Sequence, residues 1–171
     1  MITIKQLKLY TIIGILFVLI LGTIWHFVYG WSGNNSFAGL FFPINESTWE
    51  HMKLLFFPML LYSFIMNRKF KSLYPCITSA LLSGILSGTL LIPIIFYTYT
   101  GILGHNIFML DLITFALSVV IAFYIVYKLT LSCKAENYIL LLIILIFTLT
   151  ICFLLFTYYP PNIGLFTEPV K

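Results

Sequence analysis

The chain has 171 residues, of which 61% are hydrophobic, 18% aromatic and only 8% charged; a soluble domain carries about 25% charged residues, so this composition excludes one. The formal charge of +4 would suggest a nucleic-acid partner in a soluble chain, but the basic residues sit in short clusters beside apolar runs and act as topology signals, so no nucleic acid is expected. The length allows one all-α domain over residues 1–171, an integral membrane bundle surrounded by lipids.

A hydrocarbon core of about 30 Å takes roughly 20 helical residues to cross. Five runs meet that length, near residues 9–29, 49–66, 73–99, 107–129 and 137–158. The first follows Lys5 and Lys8 and ends in "GTIWHFVYGW", whose bulky aromatics replace the small residues that signal-peptide cleavage needs, so it reads as a retained helix with His26 near its end. The segment after it is rich in Gly, Asn and Ser and then turns apolar in "FAGLFF", which predicts a loop dipping back toward the membrane interface. Pro43 breaks that loop. Asn45 or Ser47 can cap the second helix, and "STWE" fits a capping box in which Glu50 reaches back to the Ser47 amide.

Pro58 in the second run and Pro93 in the third predict bends. The third run also holds "SALLSGILSGTLL", where Ser83, Gly84, Ser87 and Gly88 put small residues on one face, for packing within the chain, for a homo-oligomer or for a substrate path; Gly14 and Gly22 offer a matching face. In "GILGHNIFMLD", Gly101 and Gly104 are expected to form the turn and Asn106 to cap the fourth helix, with His105 just before it and Asp111 inside it. Cys76 and Cys133 fall near the inner face and Cys152 inside the fifth run, at no zinc-binding spacing, so neither a disulfide nor a cysteine metal site is expected.

Lys5, Lys8, Arg68, Lys69, Lys71, Lys128 and Lys134, seven of nine basic residues, lie at one set of helix ends. The positive-inside rule then puts the N-terminus in the cytoplasm and the C-terminus outside. Trp25, Trp31 and Trp49, with several tyrosines, cluster at the opposite ends as an interfacial aromatic belt would.

All three histidines and three of the five acids also fall at those outer ends. Ionisable groups near hydrocarbon cost roughly 2.5–3.5 kcal/mol at a helix centre, so they are seldom idle. His26, His51, His105 and Asp111 are the candidate ligands of Zn²⁺ or another divalent metal. If the site is catalytic, the chain is a membrane-embedded metal-dependent hydrolase with Glu50 as general base and Lys53 stabilising an oxyanion or lipid phosphate. No HExxH motif, paired-Cys motif or nucleophile elbow supports this reading, and two others stand beside it. One is a binding or transport module for a cation, proton, small polar ligand or haem. The other is an accessory or structural protein whose polar cluster ties loops to helix ends.

The segments "HFVYGWSG" at 26–33 and "FFPINESTWEHMKLLFFP" at 41–58 resemble a family of small multi-pass bacterial membrane proteins classed as a domain of unknown function, over nearly the whole chain. The resemblance implies a compact helical membrane domain in a bacterial plasma membrane and places His26, Glu46, Glu50, His51 and Lys53 in family motifs. It assigns no activity to them.

Overall fold

The computed structural model describes residues 4–169, an all-α bundle. Five long helices stand at the five expected places: α1 (Ile4–Trp31), α3 (Thr48–Phe70), α4 (Ile77–Leu103), α5 (Phe108–Ser132) and α6 (Ile139–Phe156), with a one-turn α2 (Ser36–Gly39) between the first two. Single 3-10 turns occupy Glu136–Tyr138 and Gly164–Phe166. Contacts at the helix ends define two rims. At one, Tyr10 packs on Phe70 and Ser79 donates to Glu136; at the other, His26 faces His51 and Trp49 packs on Phe153. We call these the basic rim and the histidine rim.

Four helices, α1, α4, α5 and the segment Glu136–Phe156, are long and apolar enough to cross a membrane. The expectation of five such spans is corrected at α3, which is too polar to join them. Its role follows from burial: 15 of its 23 residues are buried, among them Glu50 and Lys53, so it forms the axis that the apolar helices shield. By contrast, α6 buries only Ile146 and Phe153, half-buries Leu149, Cys152 and Phe156 against the core and exposes most of its other residues, as a lipid-facing helix does.

Local sequence explains where the boundaries shifted. α4 starts at Ile77 and not near 73, because Pro75 has no N–H and disfavours helix at the residue before it. It runs on through Gly101 to Leu103, and Gly104 ends it with φ of +80° and its N–H on Thr100 O at 2.7 Å. Gly101 is therefore a helical residue, and the turn belongs to Gly104 alone. α3 and α4 continue through Pro58 and Pro93 without a break.

The small residues act within the chain. A Cβ on Gly84 would strike Val126 and the Ala122 carbonyl of α5, and one on Gly88 would strike Ala122 and approach Leu55 of α3. Gly14 and Gly22 admit Phe123 and Phe115 of α5 and the Tyr62 ring and Leu54 carbonyl of α3. The two glycine faces thus serve α5 and α3, where helices approach closely.

Cys76, at the start of α4, and Cys133, at the end of α5, form a disulfide with Cα atoms 5.2 Å apart. This overturns the expectation of unpaired cysteines. The antiparallel pairing of α4 and α5 brings residues 57 apart in sequence to one rim, a proximity that spacing alone does not reveal. Trp49 is a second correction: it is buried against Phe153, Phe156 and Phe166, so it is core and not belt.

Gly84→Leu should destabilise the bundle by about 1–3 kcal/mol, the usual cost of overpacking. Gly101→Ala, where nothing lies within 4 Å, should be neutral or slightly stabilising. Thermal unfolding of both variants in detergent checks the contrast.

Candidate metal centre

The segment from Asn35 to Lys53 builds one half of the site. Asn35 caps α2 by accepting from the Phe37 and Ala38 amides. Phe41 then packs edge-on to Phe57 and Phe42 to Trp25, folding the loop down onto the bundle. Ser47 caps α3, its side chain accepting from the Glu50 amide at 3.4 Å. Only half of the expected capping box forms. The Ser47 amide donates to Asn45 Oδ1 at 3.0 Å, while the Glu50 carboxylate turns away to accept from Ile44 N at 3.0 Å and Lys53 Nζ at 2.7 Å.

Glu50 and Lys53 are 2% and 0% exposed, and at that depth neither charge can stand alone. Lys53 also donates to Gly39 O at 3.1 Å and to the Thr157 hydroxyl, and Thr157 donates to Phe153 O at 2.7 Å. All three ammonium protons are accepted. The cluster joins the loop, α3 and the end of α6 at a single point.

Glu46, four residues before Glu50, and His51, the residue after it, lie on a different side, toward a cavity that Glu50 and Lys53 do not line. His51 Nδ1 lies 2.9 Å from Ser47 O, so it carries a proton and donates to the carbonyl, and Nε2 is the ring nitrogen turned to Glu46. That Nε2 is 3.4 Å from Glu46 Oε2. His26, from α1, brings Nε2 to 3.9 Å from Glu46 Oε1, and the two imidazole centres are 5.3 Å apart. His26 Nδ1 is buried with no hydrogen-bond partner among the described residues.

One ligand atom from each of His26, Glu46 and His51 lies within 4.8 Å of the others, so the group could hold a metal ion. Donors bound tetrahedrally at about 2.0–2.1 Å stand about 3.3–3.4 Å apart. The His51–Glu46 pair already meets that spacing, whereas His26, 3.9 Å from the other Glu46 oxygen, would need to move closer. Of the four ligands expected from sequence, His26 and His51 are brought together, and Glu46, which was not among them, supplies the carboxylate.

His105 and Asp111 line the same cavity, of about 1010 Å³, without joining the group. His105 is exposed, with Nδ1 3.1 Å from Leu103 O. Asp111 accepts from the Tyr99 hydroxyl and, at 3.4 Å, from Asn106 Nδ2; Asn106 is thus a partner of Asp111 and not a helix cap. Glu50 and Lys53 do not line this cavity. Glu168 does, and sequence reasoning missed it. The tail reaches the cavity because Phe166 packs on Trp49 and Phe156, and Tyr97 donates to Gly164 O at 3.0 Å. The only sequence signal for that return was the aromatic content of the tail.

Apolar helices of spanning length around a polar axis, with a histidine–carboxylate group at one rim, define a multi-pass type of membrane protein with a potential metal site. The chain belongs to the family of unknown function DUF6512, whose model matches residues 1–171. No curated protein and no solved structure matches it.

Lys53→Met would strand the Glu50 carboxylate in the core and should cost about 3–5 kcal/mol; the double variant Glu50→Gln with Lys53→Met should recover much of that loss. Detergent unfolding midpoints of the three proteins measure the recovery, and failure of the double variant to exceed the single would deny the pair its tie.

Proposed function

We propose that this protein binds a divalent transition metal through His26, Glu46 and His51, at the end of a membrane-embedded cavity that receives a lipid or other amphiphile. The observation that carries the reading is the convergence of two imidazoles and a carboxylate from α1, the loop and α3. The His51 tautomer supports it, because a ligating imidazole usually donates its other N–H to a carbonyl or carboxylate. Three protein ligands would leave a fourth position for water or for a ligand from the cavity.

The reading stops at binding. The general base and oxyanion donor expected from sequence, Glu50 and Lys53, are spent on one another and on Thr157, outside the cavity. We also infer that the histidine rim faces outward, which the seven basic residues on the opposite helix ends support.

Zn²⁺ or Mn²⁺ should copurify or reconstitute near one ion per chain in the wild type. His51→Ala and Glu46→Ala should weaken binding by about 10–100-fold or more, and His105→Ala should leave it near wild type. Elemental analysis with competitive chelator titration measures this. Equal retention by all four proteins, or by none, would remove the metal.

A further inference from the structure

The cavity is much larger than an ion and its waters require. At about 1010 Å³ it exceeds the roughly 30 Å³ share of a water molecule more than thirtyfold and lies at the upper end of ligand-site volumes. Its wall has two characters. Phe27, Phe96, Phe108, Leu112 and Phe115 supply an apolar side. Phe108 is 79% exposed and Phe27 50% exposed, so this side continues to the outer surface of the bundle on α1 and α5, both helices of spanning composition. An acyl chain can therefore lie against it without leaving the bilayer.

The polar side is divided between imidazoles and acids. Glu46, Asp111 and Glu168 line the cavity beside His26, His51 and His105, and no Lys or Arg among the described residues does. The lysine of this rim, Lys53, is sealed in the core with Glu50. With Glu46 assigned to the metal group, Asp111 and Glu168 remain to meet a headgroup. Asp111 is held in place by Tyr99 and Asn106, and an ionised carboxylate with two donors keeps lone-pair positions for more. At Asp111 and Glu168 a purely anionic head would meet two carboxylates and no lysine or arginine among the described residues. A head bearing N–H⁺ donors would satisfy both.

We propose that the occupant is a membrane lipid whose head carries a primary ammonium, as in phosphatidylethanolamine, with a chain along the Phe27–Phe108 wall and its ammonium against Asp111 and Glu168. This deepens the cavity part of the proposed reading and does not depend on a bound metal.

The test reconstitutes the full chain in phosphatidylcholine nanodiscs containing equal minor amounts of phosphatidylethanolamine and phosphatidylglycerol, and quantifies retained lipid by native mass spectrometry. Phosphatidylcholine controls for shape, because its quaternary ammonium has no N–H, and phosphatidylglycerol tests the sign of charge. Wild type should retain phosphatidylethanolamine over either lipid by roughly fivefold, the ratio one ion pair of about 1 kcal/mol supplies. Glu168→Gln, a change at an exposed tail residue, and Asp111→Asn should each bring that ratio toward one while metal content stays unchanged. No preference in wild type, a preference for phosphatidylglycerol, or a preference intact in both variants would overturn the proposal. Metal loss in His51→Ala with lipid preference intact supports it, and loss of metal binding altogether would sink the metal reading alone.

Discussion

The buried ion pair of Glu50 and Lys53 is the constraint around which the histidine rim is built. Two opposite charges three residues apart on α3 are removed from solvent, and each needs further partners to repay its desolvation. Those partners come from elsewhere: Ile44 N and Gly39 O from the loop, and Thr157 from the end of α6. Satisfying the pair therefore fixes the loop and α6 against α3. Glu46 lies between Ile44 and the cap at Ser47, so holding the Ile44 amide on Glu50 also sets where the Glu46 carboxylate can reach.

Seen this way, "FFPINESTWEHMKLLFFP" is one physical device. Its phenylalanines seat the loop, Asn45 and Ser47 organise the helix start, Trp49 anchors α6 and the tail, and Glu50 with Lys53 locks the assembly. Glu46 and His51 line the cavity instead, where α1 delivers His26. A helix turns about 100° per residue, so Glu50 and His51, adjacent in sequence, can serve a core tie and a polar cavity without competing.

The fold class was legible because long apolar runs leave few alternatives, and all five long helices stand where those runs lie. The burial of α3 was not. Pattern alone cannot separate a helix that faces lipid from one wrapped by others, since both need length and apolar residues; the separation comes from burial all around Phe56, Met59 and Met66. The gathering of His26, His51, His105 and Asp111 at one cavity followed from up-and-down topology, which returns alternate helix ends to the same layer. The division of labour among Glu46, Glu50 and Lys53 did not. Helical spacing puts all three on one stripe, but Glu46 precedes the cap and obeys loop geometry instead.

The two rims end up physically unlike. At the basic rim, the Cys76–Cys133 bond, the Ser79–Glu136 hydrogen bond and the Lys71 contacts to Pro75 O and Thr78 clamp the connections between helices. At the histidine rim, α4 and α5 are joined by the short turn 104–107, whose polar side chains His105 and Asn106 point into the cavity wall. A disulfide is most durable in an oxidising compartment, whereas the basic residues around it favour the cytoplasmic side, so charge and sulfur chemistry make opposite demands on one rim. The cysteine pair ties the start of α4 to the end of α5 at the same rim where the seven basic residues gather.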